Sequence, residues 1–140
     1  MSSSSRHMAR RTAVQALYQW DLTGQSLAEI EDDFLCRRNI RGVDLEYFLR
    51  LVRNVTTHVE ELDRVISQCI DRDLVTVDTV ERVILRIGVY ELRFEPETPP
   101  RVVLNEAIEM SRVFGSEEGY RFVNGVLDRC YVLCKESSTV

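Results

Sequence analysis

The chain has 140 residues and a net charge of −5, and hydrophobic residues make up 44% of it. This composition is that of an ordinary globular domain, and a chain of this length buries enough surface to fold without disulfides or metals. No apolar stretch approaches the roughly 20 residues that a membrane span needs. Residues 1–8 lack the apolar core of a secretory signal peptide, so we expect a cytoplasmic protein with no membrane contact.

Positive charge is concentrated at the start of the chain. Residues 1–12 contain Arg6, Arg10 and Arg11 and no acidic residue, so this arm carries +3 and the rest of the chain −8. A basic arm on an acidic body is typical of a segment that binds a polyanion. The alternative is that three surface arginines fall together by chance.

Two helices are predicted in the first 42 residues. Residues 1–8 are expected to be a flexible leader or an expression scar. Apolar residues at helical spacing predict a first helix over about residues 9–22. A second helix is expected to begin at Ser26, because Glu29 three residues later completes a capping box, and to end before Gly42.

The longest periodic signal in the chain covers residues 44–70. Apolar residues recur there at spacings of three and four, which is typical of an amphipathic helix, and Asp44 is the predicted N-cap. Thr56 and Thr57 are β-branched and make a break near them plausible. The segment therefore forms either one helix or two.

Further helices are predicted in the second half of the chain. Asp78 and Glu81 have the spacing of a capping box, and all three prolines fall within residues 95–100, which predicts a loop. A helix follows and ends at Gly115, which suits a left-handed C-cap. The pattern contains no strand-like alternation, so the expected fold is all-α with six or seven helices.

The last helix is expected to open at residues 116–118 and to fray after Lys135. Its predicted buried face consists of Val123, Val126, Leu127 and Cys130. The fold prediction thus places a single all-helical domain over residues 9–135, with residues 136–140 as a frayed tail.

Residue patterns that carry enzyme chemistry are absent from the sequence. It contains no nucleophile elbow, phosphate-binding glycine loop, HExxH motif or Rossmann fingerprint. Cys130 and Cys134 are four residues apart, but neither His7 nor His58 completes a zinc-site spacing. We therefore expect no catalytic residue, no metal and no cofactor, and cysteines that pack or remain half-exposed thiols.

Two groups of residues fit binding better than catalysis. The basic arm runs into a helix that carries Gln15 and Tyr18, and arginines pair with phosphates and stack on bases. The start of the last helix carries Tyr120, Phe122 and Asn124. Aromatic side chains there either stack on unpaired bases or belong to the core, and Phe122 borders the inward face, which favours the core.

Four sequence blocks go beyond helical periodicity. They read AVQALYQW over residues 13–20, VERVILRIGVYEL over 80–92, VLNEAIEMSRVFG over 103–115 and FVNGVLD over 122–128. In this order and spacing they resemble the NusB family of bacterial transcription antitermination factors. The similarity extends from about Arg10 to Arg129, and the NEAIE and FVNGVLD blocks are its most specific parts. This chain has Arg121 where the family often has lysine.

The resemblance implies a NusB-like fold of about seven helices in two small perpendicular bundles. It also implies a non-enzymatic function. Family members bind a short single-stranded boxA element in ribosomal RNA leader transcripts together with NusE, a small-subunit ribosomal protein. With other Nus factors, the pair supports processive elongation by RNA polymerase.

The resemblance also assigns roles to residues of this chain. It maps the arginine-rich arm to Arg6, Arg10 and Arg11, although His7 and Met8 interrupt the arm here. It maps RNA-facing aromatic residues to Tyr18 and Phe122, which reverses the core prediction for Phe122. Gln15 and Asn124 are further RNA-binding candidates, and the NusE-facing acids are Glu81 and Glu118.

Three alternatives remain open from the sequence. The chain is a helical adapter that binds only protein, an RNA-modifying enzyme, or a homodimer that hides its RNA surface. NusB-like domains occur fused to RNA methyltransferases, but 140 residues leave no room for the cofactor-binding half. An acidic body repels RNA, so we expect weak RNA binding by the chain alone and tighter binding with a basic partner.

Overall fold

The computed structural model describes residues 3–138, which form seven α-helices and no β-strand. In chain order the helices are α1 (Ser3–Thr23), α2 (Leu27–Asp32), α3 (Leu45–Thr57), α4 (Val59–Ser67), α5 (Thr79–Phe94), α6 (Pro100–Phe114) and α7 (Glu117–Ser138). The π-helical turn Asp33–Arg37 continues α2, and the 3-10 turn Leu74–Thr76 precedes α5. The prediction of an all-α fold is confirmed for this part of the chain. None of the described helices has an apolar run long enough to span a bilayer.

The chain divides into two compact units at the junction of Thr57 and His58. The first unit holds α1 to α3, and the second holds α4 to α7. The resemblance implied two helical bundles, whereas the residues alone had suggested one domain over residues 9–135. Because α3 ends at Thr57 and α4 begins at Val59, the segment 44–70 forms two helices.

Helices α1 and α3 pack against each other in the first unit. The largest side chains of its core are fully buried, namely Leu17, Ile30, Phe34, Tyr47, Phe48 and Leu51. The ring centroids of Phe34 and Phe48 lie 6.0 Å apart, which joins the turn after α2 to α3. Burial of one such side chain stabilises the fold by about 1.5–3 kcal/mol.

Helix α1 begins at Ser3, six residues before the predicted start. The backbone N–H of Asp44 donates to the carbonyl oxygen of Ser5 at 3.1 Å, which attaches the start of α1 to the start of α3. Residues 3–8 are therefore helical and belong to α1, where the sequence predicted a flexible leader or an expression scar. The first two residues lie outside the described chain.

Two predicted helix starts in the first unit are confirmed. The Ser26 side chain accepts from the backbone N–H of Glu29, whose carboxylate accepts from the backbone N–H of Ser26 in return. The backbone N–H of Tyr47 donates to the Asp44 carboxylate at 3.1 Å. Gly42 has a φ of +80°, a conformation that favours glycine and ends the preceding segment.

Two predictions about helix ends in the second unit are wrong. Asp78 is the N-cap of α5, but its side chain makes no cap hydrogen bond, and Glu81 does not complete a capping box. Gly115 has an extended backbone where a left-handed cap was expected. Helix α7 extends to Ser138, past the expected start of fraying after Lys135, and residues 139–140 lie outside the described chain.

Helix α5 is the central helix of the second unit and packs against α4, α6 and α7. Every residue from Val83 to Glu91 is buried, as expected of a helix covered on all sides. Gly88 allows close approach to α7, because a Cβ atom there would lie 2.8 Å from a methyl group of Leu127. The buried Arg86 guanidinium donates two hydrogen bonds, at 2.8 and 2.9 Å, to the Asp63 carboxylate.

Candidate functional site

A polar groove of about 430 Å³ opens in the first unit beside α1. Its polar lining comes from α1 and from the segment after the π-helical turn, and it includes Arg11, Gln15, Arg38, Asn39 and Arg41. None of the described residues that line this groove is acidic. A concave surface with three guanidinium groups and no carboxylate attracts anions, and guanidinium matches phosphate geometry.

One exposed stripe of α1 carries three of the predicted RNA-binding residues. Arg11, Gln15 and Tyr18 are four and three residues apart, so they share one face of the helix. Arg11 and Gln15 line the groove, and the Tyr18 side chain is 37% exposed. The structure therefore places a guanidinium group, an amide and an aromatic ring along one exposed stripe.

The other two arginines of the predicted arm point elsewhere. Arg10 is only 3% exposed, and its guanidinium lies 5.4 Å from the centre of the Tyr47 ring. The Arg6 guanidinium lies 4.3 Å from the same ring and 3.9 Å from the Asp44 carboxylate. Because α1 is helical from its start, residues 6 and 10 share a face that packs on α3. Arg10 is thus buried against Tyr47, and Arg6 is partly engaged by Tyr47 and Asp44. The RNA contacts expected of these two arginines stay predictions.

The segment from Arg38 to Arg41 was not singled out from the sequence, although it supplies half of the polar lining. Its signal was present, because residues 37–41 read RRNIR and contain three arginines in five residues. From the sequence alone, this run is the predicted end of the second helix, just before Gly42. Only the folded chain places it beside α1.

A second cavity of about 450 Å³ lies in the second unit. It brings together the two predicted partner-binding acids, Glu81 and Glu118, with the predicted RNA-binding Phe122. Asp71 and Arg72 also line it. Three carboxylates against one guanidinium give this cavity a negative balance, opposite to that of the first groove.

Glu81 lies in the cavity next to α7. A Cβ atom at Gly119 would lie 3.0 Å from its carboxylate oxygen, so the glycine makes room for this side chain. Partial burial raises the pKa of the Glu81 carboxyl, Asp78 raises it further, and Arg72 acts in the opposite direction. A carboxylate whose ionised form is disfavoured gains from any cation that enters the cavity.

Phe122 is half-buried and is not part of the core face of α7. That face consists of Val123, Val126, Leu127 and Cys130, as the periodicity predicted. The Arg72 guanidinium lies 4.5 Å from the centre of the Phe122 ring and covers part of it. Asn124 is exposed on α7 and is not among the residues that line the cavity. The RNA contacts of Phe122 and Asn124 stay predictions.

Three of the four cysteines are at least partly buried, whereas Cys36 is exposed on the π-helical turn. Cys69 and Cys130 are buried in the second unit, and Cys134 is half-buried. Burial, the hydrogen bond that the Cys130 thiol donates to Cys69, and nearby thiols raise the pKa of Cys130, so its thiol stays protonated and unreactive. Within residues 3–138, no three of the His, Cys, Asp and Glu side chains converge as a metal site requires.

Known proteins match nearly the whole chain. The model of the NusB family matches residues 7–132. The transcription antitermination protein NusB of Shewanella pealeana is 46% identical over 129 residues, covering 92% of this chain and 96% of the relative. The protein of the same name from Pasteurella multocida is 46% identical over 126 residues, covering 90% of this chain and 88% of the relative.

Solved structures agree with the sequence matches. NusB from Aquifex aeolicus superposes with a TM-score of 0.82 at 34% identity, covering 96% of this chain and 92% of that one. A structure of the antitermination factors NusB and NusE in complex with dsRNA gives a TM-score of 0.79 at 30% identity, covering 94% and 99%. The chain therefore belongs to the NusB family of transcription antitermination proteins.

Proposed function

We propose that this chain supports transcription antitermination by binding boxA-type RNA through its first unit and NusE through its second. The observation that carries the RNA part is the α1 stripe of Arg11, Gln15 and Tyr18 beside a groove without acidic lining. Arginine pairs with phosphate, the amide hydrogen-bonds a base edge, and the tyrosine ring supports an unpaired base. Such stacking contributes about 1–3 kcal/mol per base.

The distribution of charge supports the assignment of RNA to the first unit and NusE to the second. The first unit has eight basic and seven acidic residues, a balance of +1, whereas the second has ten basic and sixteen acidic residues, a balance of −6. A polyanion is attracted by the net positive charge of the first unit and repelled by the net negative charge of the second. The acidic unit suits a basic protein partner.

The RNA that we propose is single-stranded. A solved relative, 30% identical, contains NusB and NusE with double-stranded RNA, so members of this family meet RNA in that form as well. The exposed Tyr18 ring favours a single strand, because the bases of a duplex already stack on each other and are not free to stack on a side chain. A duplex of the same sequence is therefore the matched comparison in any binding assay.

The proposed NusE site is the acidic cavity of the second unit. Glu81 and Glu118 line it together with Asp71. A lysine or arginine of NusE that enters the cavity would relieve the electrostatic cost that raises the pKa of Glu81. Phe122 borders the same cavity, and a base that stacks on its ring must share the ring with Arg72 or displace it.

The proposed role is recruitment without covalent chemistry. By holding RNA and NusE together, the chain would give the elongating RNA polymerase and the other Nus factors a fixed attachment to the nascent transcript. This role places the chain in the cytoplasm, where transcription occurs in bacteria. It requires neither a cofactor nor a catalytic group.

Fluorescence anisotropy with labelled boxA-type RNA, in the presence of NusE, tests the RNA part. We expect Arg11→Gln to weaken binding about fivefold at 0.1 M salt, because one phosphate contact on a single strand contributes about 0.7 to the salt slope. Tyr18→Ala should weaken RNA binding by the contribution of one stacked base, about 1–3 kcal/mol. Arg101→Gln is the matched control, since Arg101 is exposed in the second unit. Equal losses for Arg11→Gln and Arg101→Gln would show that only overall charge matters.

A further inference from the structure

The segment after the π-helical turn is held in one conformation by contacts at both ends. The Arg38 guanidinium donates to the Asp33 carboxylate and to the Gln19 side chain, each at 3.0 Å, and lies 4.1 Å from the centre of the Phe34 ring. At the other end, the hydrogen bond from the Asp44 backbone to Ser5 joins the segment to α1. These contacts therefore restrict the backbone conformation of the groove-lining residues between the two ends.

Residues 39–42 form a tight turn inside this segment. The backbone N–H of Arg41 donates to the Asn39 side-chain oxygen at 3.2 Å, and Gly42 follows with a φ of +80°. The Asn39 oxygen is used by this bond, whereas its amide NH₂ remains a hydrogen-bond donor at the groove. The turn places Arg41 on the wall of the groove that also contains Arg11.

The arginines around the groove differ in what neutralises them. Arg37 lies 3.9 Å from Asp32, and Arg38 forms its ion pair with Asp33. Arg11 and Arg41 form no ion pair with any residue that the structure describes. Two cations that line one groove from different segments of the chain are thus left without a carboxylate, an arrangement that attracts an anion.

We propose that Arg41 and Arg11 together form a clamp for the phosphate backbone of single-stranded RNA, with the turn at residues 39–42 as its second wall. This inference rests on the proposed RNA-binding function and adds a recognition element to the same site. A phosphodiester is favoured over an acidic peptide because Tyr18 continues the Arg11 stripe with a surface on which a base stacks. A strand whose phosphates pair with Arg11 and Arg41 would then have Tyr18 beside it as a stacking surface for one of its bases.

Arg41→Gln tests the clamp, and Arg37→Gln is its matched control. Both changes remove one positive charge from the same RRNIR run, but the Arg37 side chain is 74% exposed and does not line the groove. Affinity for a short boxA-type single-stranded RNA is measured by anisotropy at several KCl concentrations. For Arg41→Gln we expect about a fivefold loss at 0.1 M salt and a log–log slope shallower by about 0.7. For Arg37→Gln we expect the wild-type affinity and slope.

The outcomes separate this inference from the function on which it rests. Loss of affinity in Arg11→Gln with none in Arg41→Gln would overturn the clamp and leave the proposed function intact. Equal effects of Arg41→Gln and Arg37→Gln would also overturn it, because proximity of charge would then explain both. Competition by polyglutamate as effective as that by RNA of equal charge would identify a general anion site instead. Failure of the wild-type chain to bind RNA with NusE present would overturn both proposals.

Discussion

At the scale of single residues, burial separates two neighbouring arginines of α1. Arg10 lies inside the first unit against Tyr47, whereas Arg11 lines the groove without an ion pair among the described residues. The helical rotation of about 100° per residue is enough to give the two side chains different surroundings. The same residue type is therefore buried in the fold at one position and lines the groove, where RNA binding is proposed, at the next.

Alanine substitutions at these two positions should have opposite effects. Arg10→Ala removes a buried cation over an aromatic ring and should lower the free energy of unfolding by about 1–3 kcal/mol. Its RNA salt slope should stay unchanged under conditions where the variant is folded. Arg11→Ala should unfold like the wild type and have a shallower slope. Urea unfolding and RNA titration of both variants measure this, and an Arg10→Ala variant with full stability and reduced slope would reverse the assignment.

Glu81→Gln should weaken NusE binding without destabilising the chain. Because burial and Asp78 raise the pKa of this carboxyl, the folded chain binds its proton more tightly than the unfolded chain does. The ionised group thus costs stability once the pH rises above its unfolded pKa of about 4.3, and the amide removes that cost. The melting temperature of the variant at pH 7 should be equal to that of the wild type or slightly higher. Calorimetry with NusE should show weaker binding.

Glu60→Gln serves as the control for this prediction, since Glu60 is an exposed acid of the same unit. It should leave both melting and NusE affinity unchanged. A clear drop in melting temperature for Glu81→Gln would instead mean that Glu81 supports the start of α5, as the capping-box prediction had it.

At the scale of elements, the sequence predicted features that depend only on neighbouring residues better than features that depend on residues far apart in the chain. The capping box of Ser26 and Glu29 involves four consecutive residues, so the sequence contains everything that it requires. Asp78 and Glu81 have equivalent spacing, but Glu81 lies beside Gly119 of α7, 38 positions away in the sequence. The local cap therefore competes with a tertiary environment that no local pattern contains.

The same reasoning explains what could be predicted of the candidate site. Arg11, Gln15 and Tyr18 could be singled out because the basic arm runs directly into the helix that carries the other two. The groove itself was missed because its second wall, at residues 38–41, comes from another part of the chain. The burial of Arg10 likewise depends on its contact with Tyr47 of α3. The sequence of the basic arm does not indicate this contact.

Two helical glycines test the packing of α5 on α7. At Gly88 a Cβ atom would lie 2.8 Å from the fully buried Leu127 side chain, whereas at Gly125 its nearest neighbour would be Arg129 at 3.7 Å. Gly125→Ala should raise the free energy of unfolding by about 0.5–1 kcal/mol through helix propensity. Gly88→Ala has the same gain but forces overpacking, and should be less stable than Gly125→Ala by about 1–3 kcal/mol. Equal stabilities in urea unfolding would show that Leu127 repacks freely.

At the scale of the whole molecule, the chain is a net anion that is proposed to bind an anion. With a total charge of −5, of which the second unit contributes −6, long-range repulsion opposes RNA over a Debye length of about 8–10 Å. A basic partner on the acidic unit would reduce this repulsion, so binding of NusE and of RNA should be positively coupled. The coupling is reciprocal: each ligand should tighten the other by the same factor.

The direct test is a titration of the wild-type chain with labelled boxA-type single-stranded RNA, without and with saturating NusE, at one moderate salt concentration. Light scattering on the same samples identifies any homodimer that hides the RNA surface. We expect weak binding by the chain alone, clearly tighter binding with NusE, and a smaller effect for the duplex of the same sequence. Equal affinity with and without NusE, or no RNA binding in either case, would contradict the proposal that this chain joins RNA and NusE.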